Sequence, residues 1–201
     1  STLFPYTTLF RSSTDGMNSI VSRGDLLRKI NFPKYIIIIS SMSSAFISLS
    51  INLIVVLIFG FISGVDFTWK ALLAPLSIIQ LFILALGVSL ILSTLYVKFR
   101  DISHIWDVIL QICFYSIPII YPLSLVSNFH PEVAKVMMLN PIAQSIQDVR
   151  HSLIAPQTTP TTWSTINNIW ISLIPVVLTV VIVIIGVIYF RKSSKTFAEN
   201  M

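Results

Sequence analysis

The chain has 201 residues with thirteen Lys+Arg and eight Asp+Glu, so only 10% of it is charged, against roughly 25% in a soluble globular domain. Hydrophobic residues make up 55%, mean hydropathy is +0.86, and Tyr35–Val65, Ala71–Val97, Val108–Phe129 and Ser152–Phe190 lack any Asp, Glu, Lys or Arg. Each run is at least as long as the ~20 residues that cross about 30 Å of hydrocarbon. An ordinary soluble enzyme, a nucleic-acid module and a disordered chain are excluded, and an all-α integral membrane protein is implied.

In chain order, Thr2–Ser12 reads TLFPYTTLFRS, with no helical period and no signal-peptide order of basic, apolar and small regions. It resembles the translation of a common sequencing-library adapter. Residues 1–12 are therefore expected to be non-native, fused to an N-terminally truncated membrane domain over 13–201. Gly24–Lys34 is short, amphipathic and basic, and Pro33 disfavours helix at Phe32. It reads either as a basic flank of the first span or as a docking element for a cytoplasmic partner. In the second case Leu26, Leu27 and Ile30 supply the apolar contact.

The first span is expected over 36–62. Ser41, Ala45, Ser48 and Asn52 recur on one small, polar face, and Gly60 and Gly64 form a small-xxx-small pair. A second span covers 71–97. The turn around Phe99, Arg100 and Asp101 follows, with Asp107 one to two turns into the next helix and Lys98 or Arg100 as its plausible partner. The third span, 105–126, is broken near its outer end by Pro118 and Pro122. Phe114, Tyr115 and Tyr121 cluster at the break.

An external region, 127–168, contains Asn140-Pro141, an N-cap followed by a first-turn proline. Ile142, Ile146, Val149 and Leu153 then form an apolar stripe, opposed by Gln147, Asp148 and His151. This amphipathic helix, up to Ile154, is too polar to span. It is expected to lie in the outer interface or to re-enter among the spans, as a gate or lid does. Pro156 and Pro160 mark a linker to the last span, 169–190.

Charge sets the orientation. Nine of the twelve Lys and Arg beyond the first dozen residues flank the first span's start, the second-to-third turn or the tail. Lys70, Lys135 and Arg150 fall on the other side, so both ends are expected to be cytoplasmic. Trp69, Trp106, Trp163 and Trp170 all sit near span ends, where an indole buries its ring and keeps its N–H wet. The lone Cys113 excludes an internal disulfide framework and a multi-Cys metal site.

The six glycines compose no G-x-x-x-x-G-K-[ST] loop, the three histidines lie in separate connections, and no Ser-His-Asp set is present. Energy for uphill movement must come from a partner or an ion gradient. The scarcity of carboxylates inside the spans argues against the gradient.

Leu27–Lys34, Phe99–Ile102, Ser116–Tyr121, Leu139–Pro141 and Tyr189–Lys192 with Phe197–Asn200, in this order, resemble the permease subunit of type-2 ABC exporters. The likeness is strongest to those that export O-antigen, capsular or teichoic-acid polysaccharides. The resemblance implies six spans, of which four are present here, a permease homodimer, and two cytoplasmic ATPase subunits that bind the ATP and Mg. No cofactor is expected in this chain, and no nucleic-acid partner.

By the same resemblance, Asp25, Leu26, Leu27, Arg28, Lys29, Ile30, Phe32 and Pro33 couple to the ATPase, and Phe99, Arg100 and Asp101 make a second cytoplasmic contact. Channel and gate candidates are Phe114, Tyr115, Pro118, Tyr121, Asn140, Pro141, Gln144, Asp148 and Arg150. The expected function is export of a lipid-linked polysaccharide across the bacterial cytoplasmic membrane. A type-2 permease for drugs or small lipids, and a non-transporting enzyme or scaffold of envelope assembly, are the alternatives.

Overall fold

The structure, a computed structural model, describes residues 4–22, 35–62, 64, 69–153, 159–166 and 168–194. Its helices are α1 (Phe4–Ser22), α2 (Tyr35–Ile62), α3 (Ala74–Lys98, entered through a 3-10 turn at Trp69–Leu73), α4 (Ile102–Ser116) and α5 (Leu123–Phe129). They continue with α6 (Pro131–Met138), α7 (Pro141–Leu153), α8 (Thr162–Thr165), α9 (Ile169–Ser172) and α10 (Ile174–Ser193). Among the described residues there is no strand.

Three helical segments are long and apolar enough to cross a membrane: Tyr35–Ile62, Ala71–Lys98 and Ile169–Ser193. They match the expected first, second and last spans. The expected third span, 105–126, is not one helix. α4 ends at Ser116 after 15 residues, about 22 Å at 1.5 Å per residue. Pro118 stops it by forcing Ile117 out of the helical region, to φ −94° and ψ 140°. Pro122 holds the extended backbone (φ −72°, ψ 139°) from which α5 restarts.

α3 is the hub. Leu90 and Phe190 share one apolar cluster with Ile20, Ile38 and Met42, so α1, α2 and α10 all pack on α3. A Cβ built on Gly186 would lie 2.6 Å from the Gly87 carbonyl oxygen, and one on Gly87 would lie 2.9 Å from Val183 Cα. α3 and α10 therefore meet backbone to backbone, as helices do where small residues face each other in lipid. The contacts rise together in both helices, from Gly87–Val183 to Leu90–Gly186, so the two run parallel. Lys98 and Arg100 consequently end beside Arg191 and Lys192, at one basic end of the bundle.

The expected small-residue contacts are placed differently. Gly64 is a turn residue at φ +70° with nothing within 4 Å of its Cβ position, so Gly60-x-x-x-Gly64 makes no helix contact there. On α2 the buried residues are Ile37, Ile38, Met42, Ala45 and Leu49. Only Ala45 of the expected face is buried; Ser48 and Asn52 are exposed. α2 buries its apolar side mainly against α1 and less against α3. Thr2–Ser12, read as lacking a helical period, is helical from Phe4 onward. Docking continues the helix: Ser12, Ser13, Met17 and Ile20 are buried, and tertiary packing supplies most helix stability.

Large apolar side chains remain exposed along α2 and α10, among them Ile51, Ile54, Ile58, Val177, Ile184 and Ile188. A soluble monomer rarely shows such patches. They are the surface a helix turns to hydrocarbon.

Candidate functional site

α7 is the unusual element, because it enters the bundle and does not cross it. Asn140 starts it as expected: its Oδ1 accepts from Ile142 N at 2.9 Å, and its backbone oxygen accepts from Gln144 N at 3.0 Å. Ile142 packs against the central cluster around Leu81 and Ala85. At the other end Val149 and Leu153 join Leu49, Ala74 and Ile78, near the start of α3. The helix thus begins deep and climbs toward the end opposite the basic residues. Of the two expected positions, it re-enters.

The apolar stripe Ile146, Val149 and Leu153 is buried as expected, with Ile142 half-buried. The opposite face is covered too, since Gln144, Ser145 and Gln147 are also buried. A buried amide needs partners. Gln144 Oε1 accepts from Gln80 Nε2 at 3.1 Å. Gln147 Nε2 donates to Pro118 O at 3.3 Å, and Arg150 Nη2 donates to Ile119 O at 3.2 Å. Residues 117–122 are not helical, so the carbonyls of Pro118 and Ile119 have no helical donor four residues on. α7 supplies that donor from outside. The proline break and the re-entrant helix are one polar assembly.

Residues 3–154 match the family described as ABC-2 type transporter. The chain belongs to that family. An O-antigen export system permease protein RfbA of Myxococcus xanthus is 30% identical over 137 residues, covering 68% of this chain and 52% of that protein. This chain thus aligns with about half the length of that relative. Two proteins of the same name from Klebsiella pneumoniae are 26% identical over 202 and 200 residues, each alignment covering 98% of this chain and 72% of the relative. The matched family region runs through α1 to α7, so the re-entrant helix and its proline partner belong to the ABC-2 domain.

In this ABC-2 chain the channel and gate candidates do not share one surface. Phe114 is half-buried against Ile117, Ile119, Ala143 and Ile146. Tyr115 is 62% exposed and meets Phe114 edge-on at 5.5 Å. Tyr121 donates its hydroxyl to Tyr115 O at 3.2 Å, bridging the break. Pro118, Asn140, Pro141, Gln144 and Arg150 do come together, on or against α7. Gln80 and Gln147 complete that group. Gln80 was legible as an amide inside an otherwise apolar span.

Asp148 lies further along α7. Burial pushes its carboxyl up to about 6, and its Oδ1 is buried with no hydrogen-bond partner among the described residues. It borders a recess of about 280 Å³ shared with His151, Ser77 and Trp163. Nδ1 of His151 donates to Thr159 O at 2.8 Å, which fixes the ring.

At the basic end Phe99, Arg100 and Asp101 are exposed. Arg100 stands 5.8 Å over the Tyr96 ring and Lys98 5.4 Å over Phe99. Neither pairs with Asp107: among the described residues the ion pair is Lys135–Glu132, at 2.8 Å. Asp107 is exposed. Trp106 donates its indole N–H to Ser13 Oγ at 3.2 Å, tying α4 to α1. The coupling residues Asp25, Leu26, Leu27, Arg28, Lys29, Ile30, Phe32 and Pro33 lie outside the described residues.

Proposed function

We propose that this chain is the membrane-spanning subunit of an ATP-driven exporter that moves a lipid-linked polysaccharide of O-antigen, capsule or teichoic-acid type across the bacterial cytoplasmic membrane. The observation that carries this reading is its likeness, across nearly the whole chain, to ABC-2 relatives named as O-antigen export permeases. ATP hydrolysis belongs to a separate ABC ATPase subunit, and two copies of the permease enclose the path. The basic end faces the cytoplasm, where Asp25–Pro33 and Phe99–Asp101 receive the ATPase stroke. The re-entrant α7, stabilised against the proline break, acts as the outer gate.

Deleting the intact gene tests this directly. Lipid-linked glycan accumulating in the cytoplasmic leaflet, with surface glycan lost and restored by the cloned gene, is the expected result. Normal surface glycan together with altered tolerance to a drug or small lipid favours a different cargo. Glycosyltransferase activity in the purified chain overturns a transporter reading altogether.

A further inference from the structure

The recess beside Asp148 differs in chemistry from the other cavities. A second recess, of about 230 Å³ between Ile38, Leu90 and Phe190, is lined almost wholly by apolar side chains, as a lipid-facing groove is. The Asp148 recess, of about 280 Å³, instead brings together a carboxylate, an imidazole, the hydroxyls of Ser77 and Ser152, and the indole of Trp163. Its size sits just below the roughly 300–1,000 Å³ of typical small-ligand sites. That is room for one sugar ring and not for a chain.

Trp163 stands on a stiff platform. Thr161 caps α8 reciprocally: its Oγ1 accepts from Ser164 N at 3.2 Å, and its own N–H donates to Ser164 Oγ at 2.8 Å. The indole is 49% exposed, so one face is available at the mouth. Asp148 also borders the recess, and its Oδ1 is buried without a donor among the described residues. A carboxylate oxygen in that position costs free energy unless something donates to it. Ser77 and Ser152 are themselves nearly buried, at 8% and 5% exposed, so the polar wall is part of the fold and not loose surface.

We propose that this recess binds a single neutral hexopyranose unit of the exported glycan, with Trp163 packing on the sugar's C–H face and Asp148 accepting from its hydroxyls. A carboxylate lining disfavours acidic sugars by like-charge repulsion, and Leu73 and Leu76 add apolar surface beside it. The site joins α3, α7 and α8, so an occupant would hold the re-entrant helix against the outer end of α3 while the glycan leaves. This inference rests on the polysaccharide-export reading.

The test uses the full permease with its ATPase in nanodiscs, and the Trp163 contribution to emission is taken as the difference between wild type and Trp163→Phe. The probe is the repeat-unit oligosaccharide released from the producing strain's surface glycan. A saturable change in Trp163 emission is expected, with affinity about tenfold or more weaker in Asp148→Asn, as loss of a charged acceptor implies. In cells lacking the gene, Trp163→Phe should restore surface glycan and Trp163→Ala should restore several-fold less at equal membrane abundance. No saturable change, a response to a free fatty acid but not to the oligosaccharide, or full export by Trp163→Ala overturns the recess as a sugar site and leaves the export reading standing. If the wild-type gene itself fails to restore surface glycan, both fall together.

Discussion

Gln147 Nε2 donates to the Pro118 carbonyl oxygen at 3.3 Å, across 29 residues of chain. Residues 117–122 are not helical, so a side chain on the re-entrant helix supplies a donor that the broken backbone does not. Moving either element breaks this bond, and Arg150 to Ile119 O beside it. The re-entrant helix and the break therefore move as a unit or pass through a strained state.

Replacing Gln147 with Leu leaves Pro118 O buried and unpaired, a loss of about 1–3 kcal/mol. The variant should melt earlier in detergent and export more slowly. An unchanged melting temperature in Gln147→Leu would show that the bond carries no stability.

The Gly87–Gly186 contact should tolerate no Cβ. Gly186→Ala drives a methyl against the Gly87 carbonyl at 2.6 Å, and backbone cannot swing aside as a side chain does. A cost of about 1–3 kcal/mol or more is expected, seen as lost monodisperse protein on size exclusion. Gly64→Ala meets nothing within 4 Å. It should cost about 1–2 kcal/mol from the positive φ alone and leave the protein monodisperse.

Asp148 gives a pH signature. Its carboxyl is raised to about 6 from the ordinary 3.8, so the folded protein binds that proton more tightly than the unfolded chain. The stabilising contribution is complete below about pH 4 and is lost as pH rises through about 6. Asp148→Asn removes the cost of a buried charge, so it should be more stable than wild type at pH 7 by ~2–3 kcal/mol. The gap should close toward pH 4. A variant that is more stable yet exports less marks the carboxylate as kept for its task; equal stability at both pH values would contradict the desolvation account.

Replacing Leu26, Leu27 and Ile30 with Ser should uncouple the ATPase while membrane insertion persists. Hydrolysis by the assembled complex would continue with export reduced several-fold. Normal export from that variant would remove Asp25–Pro33 from the coupling path. Truncating Tyr115 and Tyr121 to Ala should lower glycan-stimulated hydrolysis more than basal hydrolysis. Equal losses in both would assign these tyrosines to packing, as the Tyr121 bond to Tyr115 O allows.

Composition and charge placement determined by themselves that this is a polytopic helical membrane protein, because hydrocarbon admits few charges and fixes span length. They also located three spans, the two prolines and the amphipathic helix from Asn140. The family resemblance was carried by short motifs, which local sequence displays in full. What sequence could not decide was partner choice. Gly87 and Gly186 are isolated glycines with no motif, and they meet only because α3 and α10 run parallel. Of the small residues of α2 only Ala45 faces inward, because α2 buries Ile38, Met42 and Leu49 against α1 and α3. Gln147 read as the polar side of an amphipathic helix; tertiary structure buried it, where it donates to the Pro118 carbonyl in the non-helical break.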